Sequence, residues 1–227
     1  MKTVGIIGGM GPEATVLLMQ KLLAAVPARD DADHIPLIVH QNPAVPSRIA
    51  RLIDGTGEDP APVLVQMAKQ LALAGAQALA MPCNTAHAYA PQIIAATDLP
   101  FLDMRAATFM QMRSTYHPGA RIGVLASPAV RMVGVYDQLF KDSGLIPVFL
   151  ADDARLLALI RLVKSGDTGP VALAEMAQIA KSLALQSECL LIACTELSLL
   201  TSALTDMPWI DSLDCLTSSI IAYANGS

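Results

Sequence analysis

Short runs of Val, Ile and Leu alternate along the chain with longer segments in which apolar residues recur at helical spacing. Short apolar runs bounded by Gly, Pro, Asn or Asp are typical of strands that are buried on both faces. The segments between them, of roughly 10 to 18 residues, are typical of helices that pack against a sheet. This alternation predicts parallel βα units, so we expect an α/β fold.

Four strands are predicted in the first half of the chain: Thr3 to Ile7, Ile35 to His40, Ala78 to Met81 and Pro100 to Asp103. A Gly-rich turn follows the first strand. Pro12 then suits the first position of a helix, where the N–H that proline lacks would have no partner. A further helix is predicted between the second and third strands, from about Pro62 to Ala74.

The second half of the chain repeats the order of these elements. Four segments have counterparts: Val4–Ile7 with Ile122–Leu125, Ile35–Val39 with Leu145–Phe149, Ala80–Thr85 with Leu191–Glu196, and Pro100–Asp103 with Pro208–Asp211. Because four elements keep one order, we predict two similar parallel-sheet α/β domains. A single repetitive sheet is the alternative.

The predicted first domain comprises residues 1–103 and 210–227, and the second comprises residues 104–209. The final helix, from about Ser212 to Ala224, is expected to pack back on the first domain. Ligands of open parallel sheets bind beyond the carboxyl ends of the strands. We therefore expect the active site in the cleft between the two domains.

The composition argues against several classes of function. The 227 residues carry 15 Lys and Arg against 20 Asp and Glu, a formal net charge of −5 with no basic cluster, which argues against nucleic acid as a partner. The mean hydropathy is +0.48, yet no apolar run reaches the roughly 18 to 20 residues of a membrane-spanning helix. Gly8, Gly9 and Gly11 interrupt the first apolar stretch before it can form the core of a signal peptide, so a cytoplasmic location is expected.

Two of the four cysteines lie where a parallel sheet places its ligands. Cys83 and Cys194 each follow a predicted buried strand, at corresponding positions of the two halves. Each precedes residues suited to capping a helix, so each thiol is expected at a helix N-terminus, where backbone dipoles lower its pKa from about 8.5. We expect the two thiols to face each other across one cleft, although a single buried cysteine more often has a structural role.

Two thiols on opposite sides of a substrate α-carbon would suit the inversion of that centre. One thiolate would remove the α-proton and the opposite thiol would deliver a proton, and the reverse reaction would exchange the roles. Because the α-proton of an amino acid is a weak acid, the carbanion needs hydrogen-bond donors aimed at the carboxylate. The backbone N–H groups after Cys83 and Cys194, with the side chains of Asn84, Thr85 and Thr195, are the candidate donors.

Three distinctive strings carry a resemblance to a known family: Gly5 to Thr15, Met81 to His87 and Ala193 to Leu197. The chain resembles the aspartate/glutamate racemase family, the cofactor-independent amino-acid racemases with two cysteines, and is most similar to the aspartate racemase branch. The resemblance covers nearly the whole chain. It implies two halves related by a pseudo-twofold axis, the cysteines between them, and a homodimer.

Local strings favour the aspartate branch. Glutamate racemases carry Asp-Ser-Gly after the first strand and Cys-Thr-His at the second cysteine, whereas this chain has Gly8 to Gly11 and Cys194 to Glu196 there. The aspartate racemase pattern implies an Arg after the second strand and a Lys in the second half for the side-chain carboxylate, and Arg48 and Lys164 match these positions. A buried carboxylate without a partner is costly, so a dicarboxylic substrate needs such cations. Without the resemblance, both residues would be interpreted as surface charges.

Further residues are expected near the predicted site. Met10 in the Gly-rich turn and Gln41 at the end of the second strand are expected to line it. Glu196 is expected to bond the substrate amino group or a neighbouring thiol, or else to cap its helix. His87, one turn after Cys83, is expected to have a structural role.

Other chemistries have weaker support. Cys189 and Cys215 lie in apolar segments and are expected to be packing thiols, and no Cys/His set has the spacing of a zinc site. A nicotinamide-dependent oxidoreductase is a rival because Gly9-x-Gly11-x-x-Ala14 is a loosened dinucleotide fingerprint, but the acid required after the second strand is missing and Pro12 removes one N–H. A pyridoxal enzyme that uses Lys164 is a further rival.

The sequence therefore predicts a racemase of aspartate, or of glutamate, that needs no cofactor or metal and uses Cys83 and Cys194 as its two acid/base groups. The expected partner is a small amino acid, preferably acidic, rather than nucleic acid or a membrane. A racemase of broader or non-acidic specificity, a diacid isomerase or decarboxylase, and an amino-acid-binding protein are the alternatives.

Overall fold

A computed structural model, which describes residues 1–226, shows two four-stranded parallel sheets flanked by helices. The first sheet contains β1 (Val4–Gly8), β2 (Leu37–Gln41), β3 (Ala78–Ala80) and β4 (Phe101–Leu102) in the order β2-β1-β3-β4. The second contains β5 (Arg121–Ala126), β6 (Ile146–Val148), β7 (Cys189–Ala193) and β8 (Trp209–Asp211) in the order β6-β5-β7-β8. The predicted α/β class and the repeat of the strand order are confirmed.

Ten α-helices connect the strands within residues 1–226. They are α1 (Pro12–Ala25), α2 (Arg48–Leu52), α3 (Ala61–Leu73), α4 (Ala90–Ile94), α5 (Met104–Thr115), α6 (Pro128–Met132), α7 (Asp137–Ser143), α8 (Asp153–Lys164), α9 (Pro170–Ala184) and α10 (Ser212–Asn225). Pro12 and Pro170 occupy first helical positions, as expected for a residue whose missing N–H would be unpaired there. Over the same residues, no helix combines the length and the apolar character needed to cross a membrane.

Each sheet is covered on both faces, which explains why its inner strands are apolar along almost their whole length, with the exposed Arg121 at the start of β5 as the exception. Successive side chains of a strand point to opposite faces. In β1, Ile7 packs with Leu64 of α3 on one face. On the other face, Ile6 packs with Leu18 of α1 and Leu213 of α10. This two-sided burial is typical of parallel sheets and gives them continuous rather than alternating apolar runs.

The last helix packs against the first half of the chain. Leu213 and Leu216 of α10 share one core cluster with Ile6 of β1 and Met104 of α5. Farther along α5, Phe109 packs in a different cluster with residues of the second sheet. Helix α5 therefore contacts both halves, and the domain boundary before residue 104 stays a prediction.

The turn from β1 to α1 depends on glycine. Gly9 has φ +95°, and a Cβ at this position would lie 2.5 Å from the backbone oxygen of Asn42, in the segment that follows β2. The N–H of Gly9 donates a 2.9 Å hydrogen bond to Oγ1 of Thr15. The absence of a side chain at Gly9 thus lets the β1–α1 turn lie directly against the segment after β2.

We predict that Gly9→Ala destabilises the protein much more than Gly75→Ala. Gly75 has φ +97°, almost the same as Gly9, but a Cβ there would meet no atom within 4 Å. Gly75→Ala should lower the free energy of unfolding by about 1 kcal/mol through backbone strain alone, whereas Gly9→Ala should lower it by about 3 kcal/mol or more because of the clash with Asn42. Urea unfolding of both variants measures this, and equal losses would contradict the role assigned to the close approach.

Candidate active site

A cavity of about 360 Å³ opens at the carboxyl ends of the strands, with its lining contributed by both halves of the chain. Its volume suits a small molecule. The polar and sulfur-containing side chains of the lining are Met10, Glu13, Ser47, Arg48, Cys83, Thr85, Ser127, Lys164, Cys194 and Glu196. Seven of the ten residues that the sequence singled out therefore lie in this lining, including both cysteines.

The two cysteines reach the cavity from the inner strands of the two sheets. Strand β3 ends at Ala80, and Cys83 follows two residues of connecting chain. Strand β7 ends at Ala193, and Cys194 follows directly. The two residues are buried to a similar degree, with 7% and 6% exposure. The fold therefore brings two thiols, distant in the sequence, to one small cavity.

Each cysteine precedes a 3₁₀ helix rather than an α-helix. These helices are Thr85–Tyr89 and Leu197–Ala203, and neither Asn84 nor Glu196 caps its helix with its side chain. The expectation of side-chain caps at these two positions is therefore wrong. The reason is that both side chains bond to other groups, as described below.

The surroundings of Cys194 also overturn the expected lowering of its pKa. Burial raises the pKa of this thiol well above its ordinary value, because the thiolate would lose its hydration. The negative charge of Glu196 and a hydrogen bond to Glu196 raise it further, and the positive charge of Lys164 opposes them only in part. Cys194 is thus held as a protonated thiol.

Glu196 connects Cys194 to Lys164. Cys194 Sγ donates a 3.1 Å hydrogen bond to Glu196 Oε2, and Glu196 Oε1 accepts from the Lys164 ammonium. Burial alone would lower the pKa of Lys164, but the charge and the hydrogen bond of Glu196 outweigh it, so this pKa is raised. Of the roles expected for Glu196, the structure shows the bond to a neighbouring thiol.

Arg48 enters the cavity from the first half of the chain. It is the first residue of α2, whose N-terminus is capped by Ser47. Its guanidinium donates to the backbone oxygens of Val45, at 3.3 Å, and Pro46, at 3.0 Å. Both partners are neutral, so they do not compensate the charge of Arg48, which lines the cavity.

Asn84, Thr195 and Gln41 do not line the cavity, in contrast to expectation. Asn84 donates to Ser212 Oγ at 3.0 Å and accepts from the Tyr136 hydroxyl. Thr195 donates to the backbone oxygen of Pro82 at 3.2 Å. These buried polar side chains are thus satisfied within the protein. Gln41 ends β2 with an exposed side chain.

Ser127 and Glu13 line the cavity but were not singled out from the sequence. Ser127 directly follows β5 and caps α6, its Oγ accepting from the Ala129 N–H at 3.4 Å. The repeat offers a signal for it, because Val124-Leu125 corresponds to Ile6-Ile7 and Ser127 therefore to Gly9 of the Gly-rich turn. Glu13 lies in the first turn of α1 and carries no comparable signal.

His87 has the structural position expected for it. Its ring is fully buried, with Nδ1 2.8 Å from the Cys83 backbone oxygen and Nε2 3.3 Å from the Met104 backbone nitrogen. Because the backbone N–H of Met104 can only donate, Nε2 of His87 accepts and the proton of the ring lies on Nδ1. His87 therefore ties the backbone of Cys83 to the start of α5. Burial lowers its pKa to about 4, although the charge of Asp103 acts in the opposite direction.

The second half has a related contact at the corresponding positions. Asp103 caps α5, and Asp211 caps α10. Ser198, four residues after Cys194, donates a 2.8 Å hydrogen bond to Asp211 Oδ1. Nε2 of His87, four residues after Cys83, lies 3.6 Å from Asp103 Oδ1. The repeat thus preserves the positions but uses different side chains.

Over residues 1–226, no group of three or more His, Cys, Asp or Glu side chains is arranged so that it could hold a metal ion.

Comparisons with known proteins point to one family. The sequence model of the family described as Asp/Glu/Hydantoin racemase matches residues 7–220. The broad specificity amino-acid racemase RacX of Bacillus subtilis (strain 168) is 24% identical over 225 residues, which cover 96% of each protein.

Solved structures show the same fold. The Picrophilus torridus aspartate racemase matches with a TM-score of 0.90 and 28% identity, over 99% of this chain and 95% of that chain. A glutamate racemase from Francisella tularensis subsp. tularensis SCHU S4 matches with a TM-score of 0.66 and 17% identity, over 99% of this chain and 81% of that chain. The second likeness concerns the fold alone.

We predict that His87 makes the protein lose stability as the pH falls from 6.5 to 4. In this range the unfolded chain binds a proton on His87, with an ordinary pKa of 6.5, whereas the folded protein does not until about pH 4. The unfolded state therefore binds more protons, and the free energy of unfolding should fall by roughly 3 kcal/mol over this range relative to His87→Gln.

Urea unfolding at several pH values measures the difference in the free energy of unfolding between wild type and His87→Gln. Burial raises the pKa of Asp211 to about 6, which has the opposite effect on stability but is present in both proteins. A difference that does not change between pH 6.5 and pH 4 would show that His87 is not held neutral in the folded state.

Proposed function

This chain belongs to the Asp/Glu/hydantoin racemase family, and on that basis we propose that it interconverts L- and D-aspartate by moving the α-proton between Cys83 and Cys194. The observation that carries the proposal is that both thiols line one small cavity from corresponding strand ends of two like-ordered sheets. A thiol on each side of a bound α-carbon is the arrangement that inversion requires.

The reaction proceeds in two proton transfers. A thiolate at Cys83 takes the α-proton from one face of the substrate and becomes a thiol, and the electron pair remains on the α-carbon. Cys194 then delivers its own proton to the opposite face and becomes a thiolate. The hydrogen bond from Cys194 Sγ to Glu196 supports this assignment, because Cys194 holds its proton before substrate binds. In the reverse direction the two cysteines exchange roles.

Lys164 supports the second step. Its ammonium lowers the pKa of Cys194, against the larger effects of burial and Glu196. As Cys194 gives up its proton, a thiolate forms next to Glu196, and the nearby positive charge limits the cost of placing two negative charges together. Lys164 therefore makes Cys194 a usable acid even though the resting thiol is strongly protonated.

The carbanion needs donors at the α-carboxylate, where negative charge develops. The first N–H groups of a helix lack partners within the helix. The 3₁₀ helix that begins at Thr85 starts beside Cys83, and Thr85 itself lines the cavity. We assign the N–H groups at this helix start, together with the Thr85 hydroxyl, to the α-carboxylate.

The positive side chains favour an acidic substrate. Arg48 and Lys164 both line the cavity, and a dicarboxylic amino acid needs cations that compensate the loss of hydration of its second carboxylate. The likeness to the Picrophilus torridus aspartate racemase supports the same substrate. Glutamate, which is longer by one methylene, is the next candidate.

A broader specificity is the second candidate function. The cavity lining also contains Glu13 and Glu196, so its two cations face two carboxylates. This balance of charge suits an amino acid with a neutral side chain as well, and the relative from Bacillus subtilis is a broad specificity racemase. The homodimer and the cytoplasmic location stay predictions from the sequence.

We predict that Cys83→Ala and Cys194→Ala each reduce racemisation of aspartate by about a thousandfold or more, because each removes one of the two proton carriers. In D₂O, the wild-type protein, dialysed against EDTA and without added cofactor, should convert L-aspartate into D-aspartate with deuterium at the α-carbon. Mass spectrometry after chiral chromatography measures both quantities. Each single variant can retain α-proton exchange on one face without inversion.

Cys215→Ala is the matched control for these variants. Cys215 is also buried, but it lies on α10 and outside the cavity lining, so its loss should leave racemisation within about threefold of wild type. Racemisation that survives in the double variant Cys83→Ala/Cys194→Ala would show that the two thiols are not the acid/base pair.

We predict that aspartate has the highest kcat/KM among L-aspartate, L-glutamate, L-asparagine and L-alanine. Asparagine matches aspartate in shape but lacks the second charge, so it should be slower by about tenfold or more if Arg48 and Lys164 select the carboxylate. Chiral chromatography of each reaction provides the rates. Comparable rates for asparagine and alanine would favour the broad-specificity candidate.

A further inference from the structure

The charged side chains of the cavity are unequally available to a ligand. Within the described part of the chain, the lining has four such residues: Glu13, Arg48, Lys164 and Glu196. Arg48 donates to neutral backbone oxygens, and Lys164 is paired with Glu196. An amino acid with a neutral side chain has one carboxylate, whereas aspartate has two. With the α-carboxylate bound by the N–H groups beside Thr85, the side-chain carboxylate of aspartate can pair with Arg48 directly, but it reaches Lys164 only in competition with Glu196.

The pairing of Glu196 with Lys164 is well protected. The side chain of Glu196 is 8% exposed and that of Lys164 is 32% exposed, so water reaches the pair mainly from the side of the lysine. Its two oxygens have different partners, since Oε2 accepts from Cys194 while Oε1 contacts Lys164. A substrate carboxylate that reaches Lys164 must therefore compete with the carboxylate of Glu196, which already contacts it.

We propose that Glu196 is a specificity-determining residue that competes with the second carboxylate of the substrate for Lys164. An amino acid with a neutral side chain then leaves the contact between Glu196 and Lys164 intact, whereas the side-chain carboxylate of aspartate pairs with both Arg48 and Lys164 only at the expense of that contact. This inference rests on the proposed function for the class of substrate, but it concerns binding and can be tested separately from turnover.

The variant Glu196→Gln tests the competition. Glutamine has nearly the same shape and can still accept the hydrogen bond from Cys194, but it lacks the charge that holds Lys164. The dissociation constants of L-aspartate and L-asparagine are measured by isothermal titration calorimetry. In Glu196→Gln the Kd of aspartate should fall by about tenfold, whereas that of asparagine should change by less than about twofold.

Glu13→Gln is the matched control. It removes the same charge from the same lining, but Glu13 is exposed and has no ion pair with Lys164 or any other residue among residues 1–226. If Glu196 acts through its contact with Lys164, Glu13→Gln should lower the Kd of aspartate by less than about threefold. Equal effects of the two variants would overturn the proposal, because net charge alone would explain them.

Lys164→Met completes the test. In this background Glu196→Gln should tighten the binding of aspartate by less than about threefold, because the cation for which Glu196 competes is gone and only the repulsion between two carboxylates is relieved. A tenfold effect that persists without Lys164, a parallel change for asparagine, or no binding of aspartate to either wild type or Glu196→Gln would each overturn the proposal.

The outcome is separable from that of the proposed function. If wild type racemises aspartate but Glu196→Gln leaves its Kd unchanged, the specificity role of Glu196 fails and the proposed function stands. If aspartate is not racemised but its Kd shows the expected pattern, the proposed function fails and the competition for Lys164 stands.

Discussion

The position of the two thiols depends on the pairing of inner parallel strands. Strand β3 lies between β1 and β4, and β7 lies between β5 and β8, so the backbone groups of both are used inside the sheets. Helices cover both faces of each sheet, and the chain can present a reactive side chain to a ligand only after the strand ends. Because the two sheets have one strand order, Cys83 and Cys194 follow corresponding inner strands, and both line the same cavity.

Much of this arrangement could be predicted from the sequence, because burial on both faces leaves a strong pattern. The apolar runs located the four strands of the first half to within two residues of their observed bounds, including β3, which has only three residues. The same pattern, repeated in order, brought Cys83 and Cys194 to corresponding positions. Pro12 and the glycines before it marked the turn that forms part of the cavity lining.

Side-chain directions could not be predicted in the same way. Asn84 and Thr195 follow the cysteines, but their partners are distant in the sequence, and Tyr136 and Ser212 hold Asn84 away from the cavity. The pKa of Cys194 was expected to fall because a helix start was considered alone. In the structure, burial and Glu196 dominate, and Lys164, which binds Glu196, lies 32 residues earlier in the chain. Local strings therefore located the two cysteines that line the cavity but not their electrostatic surroundings.

The repeat is not symmetric in chemistry, and this has a thermodynamic consequence. Cys194 has a carboxylate two residues later in Glu196, whereas the matching position after Cys83 is Thr85. Mirror-image amino acids have equal free energies in water, so for a racemase the ratio kcat/KM must be identical in both directions. In the proposed reaction, the unequal neighbours of the two sulfurs therefore cannot enrich either hand at equilibrium. The two enantiomers can still differ in kcat and in KM separately. The enantiomer with the lower KM then also has the lower kcat, by the same factor.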